Sequence, residues 1–269
     1  MQAGIIIRVR GGLGNQLFIY AFARFLSLKL DSSVLLETRT GFLIDSYGRK
    51  YNLNKFNIQL KACPWYLALY FPLKHRFATI TKLIYGHVVY MDDSEFYANP
   101  QMAFSKIKIS NKTYLDGYWQ DSTYFADYED IIKKELSLKV KVNLQNLKIA
   151  NDLYQCNSIA IHLRRAKYDT LLKLDYYAEA INQIKTRIKD PIFYVFSDDI
   201  KWCQENFIFD GSFIFVDFNH NDEISDIWLM SQCKHFIIAN STFSWWGAYL
   251  SNNPEKIIII PDKLNTTKV

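Results

Sequence analysis

The second half of this chain alternates short apolar runs with longer segments of helical periodicity. Strands are predicted at residues 158–162, 192–196, 213–216, 236–239 and 257–260. Helices are predicted at residues 175–189, 200–206, 223–234 and 243–251. This alternation favours an α/β fold with a parallel, doubly wound sheet, because each intervening helix lets the next strand run in the same direction as the last.

The first half predicts a second α/β unit. Residues 5–9 predict a strand, which is followed by Gly11, Gly12 and Gly14 and then by an apolar helix from Gln16 to Leu30. Glycines let a ligand approach the backbone, and a helix N-terminus favours negative charge, so this turn is a candidate anion site. Further strands are predicted at 34–36, 87–91 and 113–115, short helices within 61–85, and a longer helix at 122–138. The polar, aperiodic residues 139–146 separate two predicted domains, 1–142 and 143–269.

The charge of the chain restricts its partners. Its 32 Lys and Arg residues exceed its 27 Asp and Glu residues, which gives a formal net charge of +5. This modest excess suits an anionic substrate or an anionic membrane surface. No long basic run with interleaved aromatics occurs, so nucleic acid is not an expected partner. Four apolar residues suit either membrane contact or core packing, and these are Trp65, Tyr66, Leu69 and Phe71.

The cysteines indicate a reducing compartment. Cys63, Cys156, Cys203 and Cys233 lie far apart and form no Cys-x-x-Cys pair, which disfavours both a zinc site and a disulfide framework. The chain passes from Met1 into its first strand without the pattern of a signal peptide. No window reaches the roughly 18 uninterrupted apolar residues of a spanning helix. A cytoplasmic protein is therefore expected, either free or peripheral on the inner membrane.

Polar residues follow four of the five strands predicted in the second half. They are His162, Arg164 and Arg165 after the first, Ser197–Asp199 after the second, Asp217–Asn221 after the third, and Asn240–Thr242 after the fourth. The carboxyl ends of parallel strands meet at one edge of a sheet, where open α/β sheets bind their ligands. The sequence therefore predicts one ligand site that collects these residues.

The residue types at this edge suit a nucleoside diphosphate. Two adjacent guanidinium groups, Arg164 and Arg165, match a diphosphate because each can donate two parallel hydrogen bonds. Ser241, Thr242 and the amides that begin a helix at Phe243 would complete an anion nest.

The acids of this region have two possible roles. Asp198 or Asp226 can accept hydrogen bonds from a purine amino group or from ribose hydroxyls, and the alternative for each is a helix N-cap. No Asp-x-Asp occurs in the sequence, and a metal-bridged diphosphate usually needs clustered carboxylates. Guanidinium groups are therefore expected to neutralise the leaving diphosphate without a metal ion or cofactor.

Six motifs together resemble the bacterial α-1,2-fucosyltransferases. They are Gly11–Phe18 with Tyr20 and Ala21, Gly117–Gln120, His162–Arg165, Leu174–Tyr177, Phe196–Asp199 and Asn240–Ala248. The resemblance runs from about residue 4 to about residue 250, and its first and last motifs are the specific ones. In place of the Gly-Asp that usually follows the arginine pair, this chain has Ala166 and Lys167.

The resemblance implies a GT-B fold, in which two Rossmann-like domains face a central cleft. It implies inverting, metal-independent transfer of L-fucose from GDP-fucose to the 2-hydroxyl of a galactoside, in the O-antigen or capsule repeat of a bacterial surface glycan. Residues 1–142 would form the acceptor-side domain and residues 143–269 the nucleotide-sugar domain. The expected partners are therefore the nucleotide sugar and a galactose-containing or lipid-linked acceptor.

The resemblance also assigns residues to roles. Arg164 would contact the donor diphosphate, His162 and Asp226 the nucleotide, and the glycine turn the acceptor and the transferred sugar. The expected catalytic residues are Arg164, His162 and Asn15. The expected ligand-binding residues are Arg165, Ser197, Asp198, Asp226, Asn240, Ser241, Thr242, Phe243, Ser244, Gly12, Gly14 and Gln16.

Three questions stay open at this point. The base that deprotonates the acceptor could be Asp45, Glu37, Asp116 or His162, or transfer could depend mainly on stabilising the leaving group. The Gly12-x-Gly14 turn, with Glu37 at the end of the second strand, also fits a nucleotide-cofactor oxidoreductase. A non-catalytic nucleotide-sugar-binding module is the third alternative.

Overall fold

The computed structural model describes residues 4–43, 45–71, 88–109, 112–165, 172–219 and 222–261. The chain divides into two compact units, Met1–Lys139 and Val140–Val269. The division falls slightly before the boundary expected between residues 142 and 143. Each unit contains one five-stranded sheet, and every pairing described within the two sheets is parallel.

The N-terminal sheet has the strand order β3-β2-β1-β5-β4. Its strands are β1 (Ile5–Arg8), β2 (Val34–Glu37), β3 (Lys61–Ala62), β4 (Val89–Met91) and β5 (Thr113–Leu115). The α-helices of this unit are α1 (Leu13–Leu30), α2 (Trp65–Ala68), α3 (Asp93–Ala98), α4 (Pro100–Ile109) and α5 (Glu129–Glu135). Short 3-10 turns occur at Leu53–Lys55, Ser122–Tyr124 and Ala126–Tyr128.

The C-terminal sheet has the strand order β10-β9-β6-β7-β8. Its strands are β6 (Asn157–Leu163), β7 (Pro191–Ser197), β8 (Ser212–Phe215), β9 (His235–Ile237) and β10 (Ile258–Ile259). Its helices are α6 (Leu144–Gln155), α7 (Leu174–Arg187), α8 (Ile200–Asn206), α9 (Glu223–Ser231) and α10 (Thr242–Leu250). All five strands and four helices predicted for this half are present, with shifted ends.

Helix α1 forms the centre of the N-terminal core. No side chain from Leu17 to Ala23 is measurably exposed, because the helix is apolar on every side and such a helix can only be stable when it is covered. Phe22 stacks on Trp119 with ring centroids 4.5 Å apart, and Phe96 meets each of these rings edge-on at 5.2 Å. The helix that begins at the glycine turn is therefore held rigidly against the sheet.

The C-terminal sheet is covered on both faces. Alternate residues of β6 point to opposite sides, as the two-residue period of a strand requires. Ile159, Ile161 and Leu163 pack in one apolar cluster with residues of α7 and α8. Ala160 packs in the other cluster with residues of α9 and α10. His162 has the same parity as Ala160, so it belongs to the α10 side of the sheet.

The strand order defines the point at which a ligand would bind each sheet. From β6 the chain proceeds outward through β7 to β8, and then returns to place β9 and β10 on the other side of β6. The crevice outside the carboxyl ends of β6 and β9 is therefore the topological switch point, the general ligand position of such sheets. The N-terminal sheet has the equivalent point between β1 and β5.

Three regions of the chain differ from the predictions. A continuous helix at 122–138 is wrong, because two 3-10 turns precede α5 and the chain bends where buried Phe125 packs 6.2 Å from Phe18. Helices α3, α4 and α6 were not predicted from the sequence. Helix α6 begins inside the stretch treated as aperiodic, and its apolar residues Leu144, Leu147 and Tyr154 are exposed, so they do not mark a buried side.

One other prediction is met only in part. Of the segment 61–85, the described part forms β3 and α2, and residues 72–87 lie outside the described residues. Within the described ranges, no helix combines the length and the apolar character needed to cross a bilayer.

Close packing of α9 against α10 gives a test of the C-terminal core. A Cβ atom at Gly247 would lie 2.3 Å from the sulfur of Met230, whose side chain is fully buried. Gly247→Ala should therefore lower the free energy of unfolding by about 1–3 kcal/mol through overpacking. Urea denaturation would measure this loss. The double variant with Met230→Ala should be more stable than the sum of the single effects predicts, and simple additivity would contradict the close contact.

Candidate functional site

His162 ends β6 in an apolar environment. Its side chain is buried, and its ring centroid lies 5.5 Å from that of Phe243 in the first turn of α10. Burial lowers the pKa of His162 to about 3, and the nearby positive charge of Arg164 contributes the smaller part of this shift. Its Nδ1 atom is buried and has no hydrogen-bond partner among the described residues. At neutral pH this imidazole is therefore uncharged, at the crevice between β6 and α10.

Asp198 connects the residue that follows β7 to the two arginines that follow β6. One carboxylate oxygen lies 2.8 Å from Nη1 of Arg164, and the other accepts a hydrogen bond of 2.7 Å from the backbone N–H of Arg165. Both oxygens of Asp198 therefore contact the protein itself, and its contact with a purine or ribose stays a prediction. The N-cap of α8 is the next residue, Asp199, which accepts from the N–H of Trp202 at 3.2 Å.

The two arginines lie in different environments. The guanidinium carbon of Arg165 is only 3.5 Å from the centre of the Trp202 ring on α8, a cation–π contact. Arg164 instead forms the ion pair with Asp198. Different contacts therefore hold the two arginines, and their shared binding of a diphosphate stays a prediction. Stacking holds Arg165 against α8, whereas Arg164 is the arginine that Asp198 orients.

The N-terminus of α10 follows β9, the strand that pairs with β6. Ser241 caps the helix by accepting a hydrogen bond of 3.3 Å from the N–H of Phe243. Ser244 is fully buried, and its hydroxyl donates to the carbonyls of Ala239 and Ser241 at 3.4 and 3.2 Å. Both side chains therefore shape the turn from Asn240 to Thr242, and an anion would meet the helix N-terminus itself.

Asp226 lies in the first turn of α9 and ends a chain of side-chain amides. Its Oδ1 accepts a hydrogen bond of 2.8 Å from Nδ2 of Asn219. The Oδ1 of buried Asn219 in turn accepts one of 2.7 Å from Nδ2 of buried Asn146 on α6. Burial raises the pKa of Asp226 to about 6, and the Asn219 hydrogen bond opposes this shift. The amide chain fixes the orientation of this carboxyl group.

Ser197 and Asp217, which follow β7 and β8, each accept a hydrogen bond from the protein itself. The hydroxyl of Ser197 accepts from the N–H of Asp199 at 3.0 Å, and Asp217 accepts from Gln204 at 3.2 Å. His220 and Asn221 lie outside the described residues, and so do Ala166 and Lys167, which depart from the family pattern.

In the N-terminal unit, Gln16 holds the glycine turn. Its side-chain nitrogen donates to the carbonyls of Gly11 and Lys50 at 3.0 and 2.8 Å, and its oxygen accepts from the N–H of Asn52 at 2.9 Å. Gln16 is fully buried, so it positions the loop and does not present its amide to a ligand, contrary to the expected role. Gly11 has φ +80°, which glycine adopts without strain.

The start of α1 carries the other two glycines and Asn15. Gly12 is the N-cap residue and has no side chain to cap the helix, and buried Gly14 lies in the first turn. The side-chain oxygen of Asn15 accepts a hydrogen bond of 2.8 Å from Gln120, which follows β5. Asn15 therefore lies beside the β1–β5 switch point, and its catalytic role stays a prediction.

The acids considered as bases already have protein partners. Glu37 is fully buried and accepts from the N–H groups of Arg39 and Thr40 at 2.6 and 2.9 Å. Asp116 lies 3.1 Å from both Arg8 and Arg10. Asp45 accepts from two backbone N–H groups of its own turn. In particular, the burial of Glu37 removes the ribose-binding acid that an oxidoreductase would need.

Several site residues escaped the sequence analysis. Arg8 and Arg10 flank the end of β1, and the strand-end rule could have found them. Trp202 and Asn146 carried no such signal, because their partners Arg165 and Asn219 are distant in sequence. Among the described residues, no three His, Cys, Asp or Glu side chains could hold a metal ion together, and metal-independent chemistry stays a prediction.

Comparison with known proteins gives concordant similarities. A model of glycosyl transferase family 11 matches residues 4–268. The O-antigen biosynthesis glycosyltransferase WbnK of Escherichia coli is 33% identical over 285 residues, which cover 94% of this chain and 92% of that protein. An alpha-1,2-colitosyltransferase of Escherichia coli is 32% identical over 280 residues, covering 96% and 91%.

Solved structures share the fold. The fucosyltransferase NodZ from Bradyrhizobium superimposes with a TM-score of 0.60 at 15% identity, over 92% of both chains. The NodZ alpha-1,6-fucosyltransferase soaked with GDP-fucose gives 0.57 at 15% identity, over 99% of this chain and 97% of that one. The prediction of a GT-B fold built from two Rossmann-like α/β units is confirmed.

The buried imidazole makes stability depend on pH. Because the pKa of His162 is lower in the folded protein than in the unfolded chain, the unfolded chain binds the proton first as pH falls. The free energy of unfolding should therefore decrease as pH falls from about 6.5 towards about 3. Urea denaturation measures the free energy of unfolding at each pH in this range. A plot of this free energy against pH should have a shallower slope for His162→Gln than for the unmodified protein. Equal slopes would contradict the buried neutral ring. In NMR, the His162 ring signals should not titrate near neutrality.

Proposed function

The chain belongs to glycosyl transferase family 11, and we propose that it transfers L-fucose from GDP-fucose to the 2-hydroxyl of a galactoside in a bacterial O-antigen, with inversion. The observation that carries the proposal is the ion pair that Asp198, after β7, forms with Arg164, which follows β6 at the switch point. The similarity to the O-antigen biosynthesis glycosyltransferase WbnK supports an O-antigen as the acceptor. The structure of NodZ soaked with GDP-fucose, which shares the fold, supports GDP-fucose as the donor.

Arg164 would stabilise the leaving group. Negative charge accumulates on the β-phosphate as the bond to the sugar breaks, and a preorganised guanidinium is most effective against charge that develops in the transition state. A guanidinium carries five N–H donors, so the pair with Asp198 is compatible with a contact to the diphosphate. Asp198 then acts as a positioning residue, because it holds the side chain of Arg164 and the backbone of Arg165 together.

The uncharged His162 would serve the site by hydrogen bonding and shape. Its low pKa makes it a weak proton acceptor, so we do not assign it as the base. Asn15 would orient the transferred sugar or the acceptor from the N-terminal unit. The largest share of the rate enhancement is assigned to leaving-group stabilisation, since Glu37 and Asp116 are already paired within the protein.

A second donor sugar is favoured by one comparison. An alpha-1,2-colitosyltransferase is 32% identical to this chain, and colitose is L-fucose without its 3-hydroxyl. Competition between GDP-fucose and GDP-colitose in one reaction would decide which sugar is preferred. A non-catalytic binding module would bind GDP-fucose and form no product with either donor.

One prediction of the proposed function concerns Arg164. Arg164→Ala should lower kcat about 100-fold, because a hydrogen bond to a charged group contributes about 1.5–3 kcal/mol and a diphosphate can accept more than one. Transfer to a β-galactoside would be followed by product chromatography, with EDTA present because the proposed mechanism uses no metal. Arg187→Ala, at the exposed end of α7, is the matched control and should keep the original rate. A similar rate in both variants, or complete inhibition by EDTA, would refute the mechanism.

Another prediction of the proposed function concerns Asp226. The pKa of this carboxyl is raised to about 6, so it loses its charge, and much of its capacity to accept hydrogen bonds from the nucleoside, as the solution becomes mildly acidic. Affinity for GDP-fucose should therefore fall below about pH 6. Calorimetry with the intact donor is suitable, because its phosphates are diesters that do not titrate in this range. Asp226→Asn should bind with little dependence on pH, and an unchanged pH profile would exclude Asp226 from the nucleotide site.

A further inference from the structure

Helix α2 and the residues after it form an unusual surface element. Residues 65–71 read Trp-Tyr-Leu-Ala-Leu-Tyr-Phe and include no charged residue. The inner side of this segment packs on the N-terminal sheet, where Ala68, Tyr70 and Phe71 join a cluster with Ile6 and Tyr114. The rings of Tyr70 and Tyr114 stack with centroids 4.0 Å apart. The segment is therefore anchored on one side by ordinary core packing.

The outer side of the same segment is also apolar, yet it is exposed. Trp65, Tyr66 and Leu69 are 63%, 41% and 40% exposed, and the rings of Trp65 and Tyr66 meet edge-on at 6.1 Å. These three residues are called the α2 surface below. A surface helix normally carries polar residues on its outer side, and clustered exposed apolar side chains usually mark an interaction site.

Two exposed cations lie near the α2 surface. Lys61 is exposed on the edge strand β3, just before the helix. Exposed Arg39 donates from Nη1 to the carbonyl of Cys63 at 3.2 Å, which places its guanidinium near the start of α2. In the sequence, residues 46–91 contain no Asp or Glu and seven Lys or Arg residues. An apolar patch with a basic border is complementary to an anionic surface that has an apolar interior.

We propose that the α2 surface docks the N-terminal unit onto an anionic phospholipid bilayer. Trp65, Tyr66 and Leu69 enter the headgroup region, where amphipathic Trp and Tyr rings are favoured. Lys61 and Arg39 face the anionic headgroups, each adding a modest electrostatic attraction that salt weakens. The proposal concerns the N-terminal unit alone and holds whichever sugar the enzyme transfers.

Vesicle sedimentation tests the apolar contribution. The protein should sediment with vesicles that mix phosphatidylcholine and phosphatidylglycerol, and much less with phosphatidylcholine alone. The double variant Trp65→Ser/Leu69→Ser should lower the partition coefficient about tenfold or more, because two apolar side chains no longer leave water. The matched control is Tyr154→Ser/Ile208→Ser in the C-terminal unit, where these residues are 74% and 80% exposed. The control should sediment like the unmodified protein.

Two further variants separate charge from insertion. Lys61→Glu should weaken sedimentation with anionic vesicles, whereas Lys148→Glu on α6 should not. Brominated lipids in the anionic vesicles should quench tryptophan fluorescence, and Trp65→Phe should lose most of this quenching while still sedimenting. The proposal is overturned if anionic vesicles do not bind the protein at low salt, or if the double variant and its control sediment equally.

Discussion

The carboxylate of Asp198 holds the C-terminal site together. It receives the side chain of Arg164 at 2.8 Å and the backbone N–H of Arg165 at 2.7 Å, so one acid at the end of β7 fixes the turn that leaves β6. A partly exposed ion pair of this kind adds only about 0–1 kcal/mol to stability. Its value lies in orientation, because an arginine that is already held loses less conformational entropy when a phosphate binds.

The order of the strands gives this acid its partners. Strands β6 and β7 are neighbours in register from Asn157 with Pro191 to Leu163 with Ser197, so the residues after both strands emerge side by side. Strand β9 pairs with the other edge of β6 and delivers the N-terminus of α10 to the same crevice. The uncharged ring of His162 lies against Phe243 there, so the crevice combines a low-polarity wall with a held cation.

In the N-terminal unit, buried polar groups shape loops. Gln16 joins the glycine turn to the loop at residues 50–52, and Glu37 accepts the first N–H groups after β2. A buried amide or carboxylate that lost these partners would incur the cost of an unsatisfied polar group, so both loops are fixed in one conformation. The same unit exposes the apolar side of α2, where Trp65, Tyr66 and Leu69 are 63%, 41% and 40% exposed.

The sequence by itself determined the α/β class, the strands of the C-terminal sheet and the family, because apolar periodicity, glycine turns and strand-end motifs are local signals. It also placed His162, Arg164 and the Asn240–Thr242 turn at one sheet edge, since parallel connectivity brings strand ends together. Only the tertiary structure decided that Asp198 orients Arg164, that Trp202 holds Arg165, and that Gln16 is buried. These assignments depend on which side chains meet across elements far apart in the chain, and strand order and packing decide that.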